Sequence, residues 1–221
     1  MNAKKAAADK AVELIQSGMT IGLGTGSTAY WAIHRIAERM NEEGLRIEAV
    51  SSSKQSEELA NQLGIPIIPF SEVKSIDITI DGADEVDRDT NLIKGGGGAL
   101  LREKIIASNS NRFVVIVDES KMVPTLGKFP LPIEIVPFAT ELTIRRLEQL
   151  GCRPVIRMAD QATFITDNGN WIIDCHFDEI SNPGELGERI KTIPGVVEHG
   201  LFVRMANTVV VGHADGTTTV Q

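Results

Sequence analysis

The stretch MTIGLGTGSTAYWAIHRIAERMNEE, residues 19–43, decides the fold. MTIGLG is a short apolar run that stops at glycines. STAYWAIHRIAERMNEE then sets Trp31, Ile33, Ile36 and Met40 at helical spacing. Strand, glycine turn and helix in that order form the repeating unit of a parallel sheet. The unit recurs on both sides. Residues 3–16 read as a helix rich in Ala and Lys. RIEAVSSS is a strand, and QSEELANQLG a helix stopped by Gly64. IPIIPF is short and apolar. SIDITIDGAD is a strand running into an acidic loop, GALLREKIIASN a helix, and RFVVIVDES a strongly apolar strand. Residues 1–127 therefore suit a Rossmann-like parallel sheet covered on both faces. Ligands of such sheets sit at the carboxyl ends of the strands. Three candidate segments fall there: GTGST, DGAD and DESK.

The pattern changes at KFPLPIEIVP, where Pro130, Pro132 and Pro137 cluster, and a boundary is placed near residue 128. Beyond it come strand 132–136, helix 139–150, strand 153–157, strand 162–166, the turn DNGN, strand 170–175, helix 183–192 and strand 196–203. Asn-Gly between apolar runs signals a hairpin. The order is that of a split β-α-β module, ferredoxin-like. TVVVGH is a continuous apolar strand expected to return to the first sheet. The expected class is α/β, with residues 1–127 and 204–221 forming the Rossmann-like domain. Residues 128–203 form a smaller ferredoxin-like α+β domain inserted before the C-terminal strand.

Composition bounds the function. The 221 residues are 42% hydrophobic and 24% charged, with a formal net charge of −8. An acidic chain without a basic run argues against nucleic acid or an anionic membrane as partner, but not against a small anion. The N-terminal segment reads as a helix, not a targeting peptide, and no apolar run reaches membrane-spanning length. A cytoplasmic protein is expected, with Cys152 and Cys175 reduced and buried.

In GLGTGST, residues 22–28, glycines after a strand bend the backbone and expose amides at the next helix's N-terminus. Ser27 and Thr28 add hydroxyls, so the segment suits phosphate; the plain alternative is a tight turn with a helix cap. Ser27 stands where a dinucleotide fingerprint has its third glycine, and no Gly-Lys-Ser/Thr follows as in a P-loop. In DGADEVD, small residues beside Asp81 and Asp84 allow a close approach, and both carboxylates can accept from sugar hydroxyls. The spacing is not that of a Ca²⁺ loop. A solvated acidic turn is the plain alternative, and Glu85, Asp87 and Asp89 are expected to be that. In KGGGGALLREKI, four glycines precede a helix and Lys94 brings positive charge. Glu103 has Ala99, Leu100, Ile106 and Ala107 three and four places away, a poorly hydrated setting suited to a general base, or it pairs with Arg102 or Lys104. Lys121 follows a buried strand on the ligand side or is a plain surface lysine. The four histidines show no metal spacing, and Ser51–Ser53 lack a nucleophile elbow.

Together GTGST (24–28), DGAD (81–84), KGGGG (94–98), REKI (102–105), LGKFPLP (126–132), TDNGN (166–170) and IPGVVEHGLF (193–202) resemble ribose-5-phosphate isomerase, type A, in order and spacing. The resemblance runs from about residue 4 to the C-terminus. It implies a cofactor-free, metal-free aldose–ketose isomerase acting on a pentose phosphate, usually a homodimer or homotetramer. It implies that Thr25, Gly26, Ser27 and Thr28, with Asp81, Gly82, Ala83, Asp84, Lys94, Gly95, Gly96, Gly97 and Lys121, meet the substrate. Asp81 would assist ring opening, Asp84 hold the sugar, Lys94 stabilise developing charge, and Glu103 act as base. Lys4, with Lys5 as the other candidate, would supply an N-terminal lysine. A sugar-phosphate sensor without turnover, or another enediolate enzyme or acyl-CoA transferase on this scaffold, are the rival classes.

Overall fold

A computed structural model of the chain describes residues 2–221. In chain order its elements are α1 (Ala3–Val12), β1 (Thr20–Leu23), α2 (Ser27–Glu43), β2 (Glu48–Ser51), α3 (Lys54–Gln62), β3 (Ile78–Asp81), β4 (Glu85–Val86), β5 (Leu92–Ile93), α4 (Leu100–Ser108) and β6 (Phe113–Asp118). There follow β7 (Leu131–Ile135), α5 (Thr140–Glu148), β8 (Arg153–Ile156), β9 (Met158–Ala159), β10 (Ala162–Thr163), β11 (Trp171–His176), α6 (Pro183–Lys191), β12 (Val196–His199), β13 (Leu201–Phe202), β14 (Thr208–Gly212) and β15 (Thr218–Val220). Among the described residues no helix is long and apolar enough to cross a membrane.

The chain divides into two compact units, one running to Ala83 with Arg102–Met122 and Met205–Gln221, the other Asp84–Leu101 with Val123–Arg204. The first holds a six-stranded sheet in the order β15-β14-β6-β3-β1-β2. All its pairings are parallel except β14–β15. TVVVGH thus returns to the first sheet, as expected, beside β6. The antiparallel edge strand β15 is an addition to the expected sheet. Alternate residues explain the layering. Ile21, Leu23, Ile78 and Ile80 join Ala7, Ala11, Val12, Ile33 and Ile36 of α1 and α2 in one core. Ile106 of α4 packs with Val50 and Ile76 in another. A side chain at Gly22 would meet Thr79 Oγ1 at 2.0 Å and Ile106 Cγ2 at 2.7 Å, so glycine lets α4 lie close on β1.

Local chemistry sets the helix ends. Asn2 caps α1 by accepting from the Lys4 and Lys5 amides. Residues 13–16, expected to be helical, tighten into a turn in which Leu14 and Ile15 bond back three residues. Gly44 stops α2 in the left-handed region, and Ser53 caps α3.

The second unit has a four-stranded antiparallel sheet, order β12-β7-β11-β8, with α5 and α6. With β7-α5-β8-β11-α6-β12 in sequence, this is the ferredoxin-like order. Leu131, Ile133, Ile135, Ile173 and Cys175 form its core with Leu147 and Ile190 of the helices. Two expected strands are altered. Residues 162–166 give only the short β10, paired with β9, and a single bridge from Ile165 to Trp171. The Asn-Gly turn itself closes through Thr166 N–H to Asn170 O at 2.9 Å. Strand 196–203 breaks at Gly200, whose N–H reaches Pro132 O and whose carbonyl accepts from Lys94 N–H, both at 2.8 Å. β13 thereby leaves the larger sheet and joins β5 and β4 in a three-stranded one. The acidic stretch after DGAD is therefore a hairpin, not an open loop.

Both cysteines are free and buried, as expected. Their hydrogen bond, and then burial, push the Cys175 thiol far above its ordinary range.

Candidate active site

In the first unit the GTGST turn follows β1 and leads into α2, while Asp81 ends the adjacent β3. Asp81 is 1% exposed. Its Oδ1 accepts from Thr25 N–H at 3.0 Å and from Gly82 N–H at 2.7 Å. Gly24 makes this possible, since a side chain there would stand 2.1 Å from Asp81 Oδ1. Thr25 is buried and turned inward. Its hydroxyl lies 2.7 Å from Ser52 Oγ and 2.8 Å from Ser53 Oγ. Both its donors are engaged, so the surface of the turn belongs to Gly26, Ser27 and the half-buried Thr28. Ser27 Oγ accepts from Lys4 Nζ at 2.9 Å, whereas Lys5 pairs with Asp9 at 2.7 Å. Of the two lysines, Lys4 is the one brought to the turn.

The serines beneath Thr25 are a support that sequence reasoning misses. Ser52 Oγ also donates to Leu23 O, and Ser56 Oγ to Gly24 O. Ser52 and Ser53, in a run of serines at a strand end, are the visible signal, because short hydroxyls there can bond back to neighbouring backbone. Glu103 lies in the first turn of α4 and is 5% exposed. Lys121 ends a 3₁₀ turn after β6 and is half-buried; Asp118 anchors that turn through Ser120 N–H.

In the second unit Asp84 Oδ2 accepts from Gly96 N–H at 2.7 Å, so carboxylate and glycine turn are one assembly. Asp84 N–H reaches Ile93 O at 2.8 Å, which fixes it to the hairpin. Lys94 is 2% exposed, with Nζ 5.5 Å from the centre of the Phe202 ring. A buried ammonium over an aromatic face is held more firmly than one in water. Gly95 and Gly98 take positive φ, +104° and +83°, which gives the KGGGG turn its shape.

The expectation that Glu85, Asp87 and Asp89 are solvated holds only for Asp89. Glu85 is 3% exposed and accepts from Gly127 N–H at 2.7 Å and Phe129 N–H at 2.6 Å. Asp87 caps the hairpin, accepting from Asp89 N–H, Asn91 N–H and Asn91 Nδ2. Buried amides need acceptors, and these two carboxylates supply them. Among the described residues no group of three or more His, Cys, Asp or Glu could hold a metal ion.

The model of the family "Ribose 5-phosphate isomerase A (phosphoriboisomerase A)" matches residues 48–216. The chain belongs to the ribose 5-phosphate isomerase A family. Ribose-5-phosphate isomerase A 1 of Oceanobacillus iheyensis is 51% identical over 212 residues, 96% of this chain and 95% of the relative. Ribose-5-phosphate isomerase A of Bacillus mycoides is 52% identical over 217 residues, 98% of each. Ribose 5-phosphate isomerase A of Methanocaldococcus jannaschii superposes with a TM-score of 0.94 at 44% identity, covering 99% of this chain and 97% of that one. A D-ribose-5-phosphate isomerase in complex with phospho-erythronic acid gives 0.96 at 41% identity, covering 100% and 99%.

Proposed function

We propose that this chain is an aldose–ketose isomerase that interconverts D-ribose 5-phosphate and D-ribulose 5-phosphate through an enediolate, in the non-oxidative pentose phosphate pathway. The observation that carries this reading is the match, along essentially the whole chain, to an isomerase that binds phospho-erythronic acid. That molecule joins a phosphate to a planar carboxylate, the shape and charge of an enediolate phosphate.

The acids and the glycine turns serve different needs of one substrate. Carboxylates accept from neutral hydroxyls; amides and lysines hold anionic oxygen. Asp81 assists opening of the furanose, and Asp84 holds the sugar with Gly82 and Ala83. Glu103 takes the proton from C2 of the open aldose. The electron pair forms the C1–C2 double bond, and negative charge passes to the carbonyl oxygen on C1. Lys94, with the amides of Gly95 and Gly97, stabilises that charge, while Gly96 N–H holds Asp84 in place; such electrostatic support is often the largest single contribution to catalysis. A proton moves from the C2 hydroxyl to the C1 oxygen, Glu103 returns its proton to C1, and the ketose remains. Gly26, Ser27, Thr28, Lys4 and Lys121 contact the substrate, with Thr25 shaping the turn. Burial supports Glu103 in this role, because it screens the proton transfer from bulk water. We further propose a cytoplasmic homodimer or homotetramer that uses neither metal nor cofactor.

The test is conversion of ribose 5-phosphate to ribulose 5-phosphate with a chelator present, for wild type and Glu103→Gln. Wild type should turn over undiminished. The variant should lose about 10²–10⁴ in kcat, the usual worth of a positioned base. Near-normal turnover by the variant removes Glu103 from the mechanism.

A further inference from the structure

The KGGGG turn is held from behind by a side chain with no part in the chemistry above. Arg157 donates through Nη1 to Gly95 O at 2.8 Å and to Gly96 O at 3.2 Å. The rest of its fork is spent on Asp174: Nε reaches Oδ2 at 2.9 Å and Nη2 reaches Oδ1 at 2.5 Å. The pair is mostly buried, 14% and 18% exposed. Phe164 completes the enclosure. The Arg157 guanidinium lies 5.8 Å from its ring centre, and a side chain at Gly98 would stand 2.4 Å from its Cζ.

Peptide geometry turns these contacts into a directional statement. In a trans peptide the carbonyl and the following N–H point opposite ways. Gly95 O is fixed on Arg157, so Gly96 N–H must point away from it, and it does so onto Asp84 Oδ2 at 2.7 Å. Gly96 O is drawn to the same guanidinium, so Gly97 N–H is aimed to the Asp84 side as well. Within the turn Gly98 N–H also reaches Gly95 O at 2.9 Å, but glycine accepts either sign of φ and its peptides turn over readily, so that one bond leaves the Gly96–Gly97 peptide unheld. A bidentate pair fixes a guanidinium in position and plane, which a lysine cannot reproduce.

We infer that Arg157, locked by Asp174, is the positioning residue that turns the Gly96 amide onto Asp84 and aims the Gly97 amide at the anionic oxygen of the reacting sugar. This rests on the isomerase reading above. It assigns Arg157 no contact with substrate. Its effect falls on the transition state, because the Gly97 amide matters most where charge develops.

The experiment measures kcat and KM on ribose 5-phosphate for wild type, Arg157→Ala and Arg157→Lys, with thermal unfolding of each. Arg157→Ala should lose about 10²-fold in kcat, as misplaced groups do, with KM changed no more than about threefold. Added guanidinium should restore about tenfold of the loss by refilling the space between Asp174 and the two carbonyls. Arg157→Lys keeps the charge and secures the fold if the Ala variant fails to fold; it should still lose about tenfold in kcat, because it cannot span Asp174 and the turn together. A folded variant with wild-type kcat overturns the clamp and leaves the isomerase reading standing. So does a loss that follows thermal stability and ignores guanidinium. A wild type inert toward ribose 5-phosphate overturns both.

Discussion

Gly24→Ala tests how closely Asp81 is set against the first glycine turn. The added methyl would stand 2.1 Å from Asp81 Oδ1, 2.3 Å from its Cγ and 2.5 Å from its Cα. A new rotamer can move the carboxylate but not the Cα. The turn or β3 must therefore give by roughly 1 Å to restore a carbon–carbon contact of about 3.5–4.0 Å. Two bonds span that gap, Gly24 N–H to Ile80 O at 2.9 Å and Thr25 N–H to Asp81 Oδ1 at 3.0 Å. Overpacking of this kind costs about 1–3 kcal/mol. In a chain of this size each kcal/mol lowers Tm by about 2–4 °C. A shift of about 1 Å at a group acting on the substrate costs about 10²-fold in rate. The assay is kcat and KM on ribose 5-phosphate beside thermal unfolding, with Gly18→Ala as comparison. Gly18 has φ +92°, and a methyl added there would meet no atom within 4 Å, so its replacement adds backbone strain alone. That strain is about 1–2 kcal/mol, and kcat should hold. Equal stability losses with unequal kcat would separate site geometry from folding. A Gly24→Ala enzyme whose kcat stays within about threefold of wild type refutes the reasoning.

Lys94→Ala should lower kcat by about 10²–10³-fold and change KM far less, because in the proposed mechanism its charge acts where the enediolate forms; a change confined to KM would contradict that role. Glu85→Ala should leave kcat intact while lowering the urea midpoint, since it strips the acceptor from two buried amides at about 1–3 kcal/mol each. Equal losses of kcat and stability in that variant would mean that Glu85 belongs to the site rather than to the hairpin.

The parallel sheet was legible because each element carries its own period. Ile21 and Leu23 alternate around Gly22, and the α2 residues Ile33, Ile36 and Ala37 repeat at helical spacing. The split β-α-β order of the second unit was legible for the same reason. The break at Gly200 was not, because VVEHGLF has one continuous apolar character. What divides it is a pair of backbone bonds, to Pro132 O and from Lys94 N–H, and backbone partners leave no mark in side-chain pattern. The site shows the same limit more sharply. Asp81, Asp84, Glu85 and Asp87 lie within seven residues and share a charge, and the sequence alone offers no way to rank them by burial. The difference lies in which segments supply their amides. Glu85 takes Gly127 N–H on one oxygen and Phe129 N–H on the other, from residues more than forty places away, and so ties the hairpin to a distant loop. Asp87 takes its own hairpin's donors on both oxygens. Asp81 instead meets Thr25 N–H of the first glycine turn, and Asp84 meets Gly96 N–H of the second. A carboxylate bridged across both oxygens by scaffold amides is committed to holding chain together. One that meets the amide of a glycine turn lies at that turn, where the proposed substrate would sit. The four acids of this chain thus differ in the origin of their amide donors, a quantity the fold sets and the local sequence does not carry.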